Sequence, residues 1–185
     1  MARPATYRAE DWIAAGWRAL VRGGPAAVRI EALARELGVT KGSCYGYFAD
    51  RAALLAAMLA QWRERSGGAL IARVEAQRGT PQQRLWALIE TVIREGARSP
   101  EPALRGWGRS DPAIRATLEE IDRQRLAYLE GLFRAMRFAG DGAAIRARLC
   151  YQALLAEHQL GLAVDTETRL AAWRGQFALL SAAPA

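Results

Sequence analysis

The chain has 185 residues, a net charge of +7 and 51% hydrophobic residues, enough for one or two domains around a real core. Its longest uninterrupted apolar run, residues 52–60, is far too short to span a bilayer. The opening MARPATYRAEDW has no apolar stretch of an export signal, so a cytoplasmic protein is expected. Two separated cysteines, Cys44 and Cys150, and a single histidine, His158, supply no zinc-ligand set, and neither a metal nor a cofactor is expected. Charge is uneven: residues 1–65 hold ten Lys/Arg against six Asp/Glu, a density that suits a partner rich in phosphate. Lys41 is the only lysine.

In chain order nearly every segment reads as helix, because Ala, Leu, Arg and Glu dominate and β-branched runs are missing. A first helix runs from a Thr6 cap to about Arg22, with Trp12, Ile13, Gly16, Trp17 and Leu20 on one face, and Gly23-Gly24-Pro25 stops it. Ile30, Leu33, Ala34 and Leu37 mark a short second helix that closes at Gly38. Thr40 opens a third, about 41–48. Asp50 opens a long fourth to about Gln77, weakened at Gly67-Gly68. Thr80-Pro81 and Ser110-Asp111-Pro112 are cap-plus-proline starts for the fifth and seventh helices, with a short sixth at about 101–109 between them. The eighth covers 143–161 and the ninth about 166–180. The expected architecture is all-α, about nine helices, divided into residues 1–50 and 51–185.

The stretch VRIEALARELGVTKGSCYGYFADRAALLAAML, residues 28–59, has the physics of two short helices crossing at a tight turn. Small Ala34 and the Gly38 turn let the backbones approach, and Val39 fills the corner. The helix that follows then projects Thr40, Lys41, Ser43 and Tyr45 from its N-terminal end, the end that enters a major groove first. Gly42 keeps that surface low, and a hydroxyl beside free helix N–H groups suits a phosphate.

The ordered motif G-V-T-K-G-S-x-Y-x-Y-F-x-x-R-x-x-L-L resembles the signature of TetR-family regulators, with similarity running from about Trp12 to Leu59. The resemblance implies a three-helix DNA-binding domain ahead of a larger helical domain. That second domain would bind a small effector, whose arrival moves the fourth helix and releases the operator, and would dimerise through the last two helices. It implies phosphate contacts from Thr40, Tyr45, Tyr47 and Arg51, and base or adjacent backbone contacts from Lys41, Gly42 and Ser43. Three residues depart from the family pattern. Gly46 replaces an aromatic or histidine and costs the short helix about 1 kcal/mol relative to Ala. Cys44 replaces a larger apolar residue. Arg29 stands where a Ser or Thr cap is common, which weakens the cap but puts a guanidinium beside an expected phosphate.

In the second domain Trp86, Ile89, Ile93, Trp107, Tyr128, Tyr151 and His158 are candidates to line a pocket for an apolar or aromatic, uncharged or weakly anionic effector. Two apolar stripes, Ile145, Leu149, Ala153, Ala156 and Leu160 against Leu170, Trp173 and Phe177, could close the monomer core, but are apolar enough to serve an intermolecular four-helix bundle, the reading favoured here. A helix-turn-helix that reads a palindrome needs two copies, so a homodimer is expected. The leading expectation is a regulator, more often a repressor, that binds a double-stranded operator. The alternative is a helical small-molecule-binding protein without DNA binding. No catalytic constellation is present: no Glu-x-x-His, no Ser/His/Asp order and no glycine-rich phosphate loop, so an enzyme is not expected.

Overall fold

A computed structural model describes residues 7–96, 99–157 and 165–182. Among these residues there are ten α-helices: α1 (Ala9–Gly23), α2 (Ile30–Leu37), α3 (Gly42–Tyr45), α4 (Arg51–Ser66), α5 (Gly68–Ala76), α6 (Pro81–Gly96), α7 (Glu101–Gly108), α8 (Pro112–Ala135), α9 (Gly142–Glu157) and α10 (Thr166–Ser181). A 3-10 turn, Pro25–Ala27, joins α1 to α2, and no strand occurs among the described residues. The weak point at Gly67-Gly68 is a full break, so the long fourth helix of the sequence pattern is two, α4 and α5.

Local chemistry explains most boundaries. Thr80 and Gln83 form a reciprocal capping box, with Gln83 N–H donating to Thr80 Oγ1 at 3.2 Å and Thr80 N–H to Gln83 Oε1 at 2.9 Å. Asp50 accepts from Ala53 N–H, and Asp111 from the N–H groups of Ala113 and Ile114. Asp165 does the same for Glu167 and Thr168 at the start of α10. At α1 the Asp11 carboxylate takes the Arg8 N–H at 2.7 Å, while the expected Thr6 cap lies outside the described residues.

The chain divides into two compact units, one of residues up to Glu64 plus Ala103–Arg115, the other of Arg65–Pro102 plus residues from Ala116 onward. In the first unit Trp12, Leu20, Val28 and Leu54 are fully buried, and Leu33 and Met58 are 1% exposed. Gly16 lets α1 and α4 close on each other, since a Cβ there would lie 2.6 Å from Met58 Sδ.

The second unit is built on one apolar cluster. Leu85, Leu88, Ile89 and Ile93 of α6 meet Leu129, Leu132 and Phe133 of α8, Ala147, Cys150, Tyr151 and Leu154 of α9, and Leu170 and Trp173 of α10. Trp173 Nε1 donates to Glu157 Oε2 at 3.0 Å, which gives the buried indole its partner. This packing corrects one expectation. Leu170 and Trp173 are 4% and 0% exposed inside the protomer, because α10 needs that stripe to close the core. The outward face of α10 instead carries Ala171, Ala172, Gly175, Ala178 and Leu179, and α9 leaves Ile145 and Leu149 exposed. Leu160 lies outside the described residues.

Candidate nucleic-acid interface

α2 ends in a Schellman motif. Gly38 is left-handed at φ 69°, its N–H reaches Arg35 O at 3.2 Å, and Val39 N–H reaches Ala34 O at 2.9 Å. The chain leaves this turn at once into α3. Only four residues are α-helical there, half of what the sequence pattern suggested. Its first turn is 3-10-like, with Ser43 N–H on Thr40 O and Cys44 N–H on Lys41 O, both at 3.1 Å. Gly46 stays right-handed, and Phe48 N–H still reaches Cys44 O at 2.9 Å. Cys44 and Phe48 anchor this element inward at 0% and 8% exposure. The small thiol therefore replaces a bulkier plug, and burial pushes its pKa up.

The outward residues separate into two groups. Arg29, Thr40, Lys41 and Tyr45 are exposed, and among the described residues none of their side chains has a hydrogen-bond partner. Arg29 is the N-cap of α2 but its side chain makes no cap bond, so its guanidinium is available. Gly42 is also exposed. The other group is engaged within the unit. Ser43 Oγ donates to Thr40 O at 2.8 Å. Tyr47 is 48% exposed, yet its hydroxyl donates to Tyr7 O at 2.8 Å. Arg51 Nε donates to Val28 O at 2.6 Å and its Nη2 to Pro25 O, clasping α4 to the turn before α2. Arg51 Nη1 has no partner among the described residues and stays available to a phosphate. Sequence spacing could not separate these groups, because acceptors such as Tyr7 O and Val28 O are distant in the chain.

The pocket candidates also separate. Ile89 and Ile93 are core at 0% and 1% exposure, and Tyr151, 7% exposed, belongs to the same cluster. Trp86 packs against that cluster with its ring edge-on to Phe177 at 5.5 Å and the Arg174 guanidinium 4.9 Å from its centroid. Tyr128 is partly buried and donates to Glu75 Oε1 at 2.6 Å. Trp107 belongs to the first unit, and His158 lies outside the described residues.

A group missed in the sequence is Arg125 with Glu101, whose side chains are 16% and 13% exposed and joined at 2.9 Å. Burial works against the Arg125 charge, but Glu101 outweighs it and holds the guanidinium above its usual pKa. The signal was present: Arg125 interrupts the apolar stripe Leu118, Ile121, Leu129, Leu132 of α8 at a core-facing position. Tyr151 donates to Asp122 Oδ1 at 2.6 Å, and burial foremost pushes its phenol up to about 12. Among the described residues no cluster of His, Cys, Asp and Glu could hold a metal ion, and no helix is long and apolar enough to cross a membrane.

A short helix after a glycine turn, with exposed donors around it, is the geometry of a helix-turn-helix. Residues 13–58 match the family described as bacterial regulatory proteins, tetR family. No curated protein matches the chain. Among solved structures it is similar to reduced NemR from E. coli, at 20% identity and a TM-score of 0.75, covering 96% of this chain and 98% of that one. The transcriptional regulator FadR from Bacillus subtilis, in complex with stearoyl-CoA, is similar at 17% identity and a TM-score of 0.71 over 96% and 100%. A TetR/AcrR-family regulator from Thermobifida fusca is similar at 15% identity and a TM-score of 0.68 over 94% and 96%. Residues 13–58 are thus similar to the helix-turn-helix segment of the tetR family, and the chain as a whole shares the fold of these solved regulators.

Proposed function

We propose that the protein is a cytoplasmic homodimeric repressor that holds a palindromic operator and leaves it when a small molecule binds the C-terminal part. The functional division we infer is 1–50 for DNA and 51–185 for effector binding and dimerisation. The observation that carries the DNA reading is the set of exposed donors around α3 that have no hydrogen-bond partner among the described residues: Arg29, Thr40, Lys41 and Tyr45. Arg29, Thr40 and Tyr45 take phosphates, while Lys41 reads base edges across the low surface at Gly42. Ser43 approaches DNA beside Lys41 while its hydroxyl donates to Thr40 O. Tyr47 and Arg51 first hold the element in place, and Arg51 Nη1 adds a phosphate contact.

The dimer forms through the outward faces of the last two helices, where Ile145, Leu149 and Leu179 are 55%, 54% and 79% exposed. Two copies would present their α3 elements to half-sites ~34–36 Å apart or somewhat more. That FadR from B. subtilis, similar in fold, was captured with stearoyl-CoA supports a small-molecule effector, and apolar or aromatic ligands suit the Trp86, Ile89, Ile93, Tyr128 and Tyr151 surroundings. His158 and Trp107 stay candidates from the sequence alone.

The test is selection of bound duplexes from a random pool, followed by a salt titration. An enriched palindrome, with affinity falling steeply as salt rises, is expected. Failure to enrich any sequence would leave only the helical small-molecule-binding reading.

A further inference from the structure

Four stretches of the second unit meet at one guanidinium. Arg125 Nε donates to the Ser66 carbonyl at the end of α4 at 3.1 Å. Its Nη1 reaches both oxygens of Glu101, in the first turn of α7, at 2.9 and 3.0 Å, and the Tyr151 hydroxyl of α9 at 3.3 Å. Nη2 has no acceptor among the described residues. The Arg125 side chain keeps 16% of its surface exposed.

This geometry is an incomplete carboxylate clamp. A guanidinium recognises a carboxylate best through two parallel bonds, one from each of two nitrogens. Glu101 instead places both oxygens on the single Nη1, which leaves the Nη1/Nη2 edge without its second bond. A carboxylate arriving on the Nη2 side would complete the fork and take Nη1 from Glu101. Asp122 is turned to the Tyr151 hydroxyl, which donates to it.

We propose that Arg125 anchors the carboxylate of a small-molecule ligand, and that Glu101 holds this anchor in the ligand-free chain. The ligand is a monocarboxylate with an apolar or aromatic body, since the cluster around Tyr151 is apolar. Displaced Glu101 would free the first turn of α7, and the guanidinium would be drawn from the Ser66 carbonyl. The inference rests on the reading of the C-terminal part as effector-binding and names the effector's class.

The experiment uses the full chain with benzoate, phenylacetate and the straight-chain acids from hexanoate to palmitate, each beside its primary amide. Binding is read by thermal shift and then calorimetry. At least one acid is expected to bind, with its amide roughly ten- to hundredfold weaker, the difference a charged hydrogen-bond pair makes. Arg125→Lys should weaken that acid by a similar factor. Glu101→Gln removes the internal competitor and should tighten it roughly fivefold or more. A merely structural ion pair predicts no such gain. The proposal is overturned if no acid binds either the wild type or Glu101→Gln, if amides bind as well as acids, or if Glu101→Gln weakens binding. Duplex selection with the wild type decides the regulator reading separately. An enriched operator with no acid bound sinks only the anchor, and bound acid with no operator enriched sinks only the regulator.

Discussion

Replacing Arg51 by Met keeps the aliphatic stem of the side chain and removes two donors, one on Val28 O at 2.6 Å and one on Pro25 O. A hydrogen bond from a charged donor is worth about 1.5–3 kcal/mol when its acceptor is left unpaired. The Val28 bond is partly buried and deserves the lower end of that range, whereas the exposed Pro25 carbonyl is quickly rehydrated and adds a few tenths. The turn from Pro25 to Arg29 should therefore loosen by about 2 kcal/mol, roughly a thirtyfold rise in local opening. Hydrogen exchange on the full chain reads this directly, because the amides of residues 27–33 should exchange faster in Arg51→Met while those of α6 do not change. Operator affinity should fall as the turn loosens, and the slope of log affinity against log salt should lose at most about 0.9, one phosphate contacted through Nη1. Unchanged exchange at 27–33 combined with a lost phosphate in the salt slope would refute the clasp and leave Arg51 as a plain phosphate holder.

Gly38→Ala forces a side chain into the left-handed backbone at φ 69° and should cost about 1–2 kcal/mol of stability, measured by urea unfolding; no loss would mean the turn relaxes without the Schellman bonds. Lys41→Ala should change the preferred bases in duplex selection, whereas Thr40→Ala and Tyr45→Phe should weaken all duplexes alike. Leu149→Asp puts a charge into the exposed apolar face of α9 and should give a monomer by sedimentation with much weaker operator binding; a surviving dimer would move the interface elsewhere. Burial raises the Cys44 thiol and pushes Cys150 up to about 12, above the ordinary 9.0, so the reactive thiolate of each is scarce at neutral pH. Iodoacetamide at pH 8 should therefore label neither thiol in the folded chain and both after unfolding, and rapid native labelling would contradict their burial.

The local signals of this chain were strong where one short segment settles its own conformation. Thr80-Pro81 and Asp111-Pro112 set helix starts through side chains that reach N–H groups two or three residues on, and Gly38 ends α2 because a left-handed residue was required there. Periodicity also placed Leu170 and Trp173 on an apolar face. It could not say which faces the protomer itself covers. Trp173 and Leu170 proved to close the core, and the face left outward on α10 is one of alanines, Gly175 and Leu179 that no hydrophobic stripe announced.

The same limit governs the interface. Sequence order determined that Arg29, Thr40, Lys41, Gly42, Ser43, Tyr45, Tyr47 and Arg51 gather around a helix-turn-helix, because that motif is local and its spacing is rigid. Which of them have side chains already engaged was decided only by tertiary structure, through carbonyls far away in the chain: Tyr7 O for Tyr47, and Val28 and Pro25 O for Arg51. Arg125 teaches the complementary lesson. Its position on an apolar stripe was legible, but its partners Ser66, Glu101 and Tyr151 come from three other helices, and only folding brings their charges and dipoles within hydrogen-bond reach.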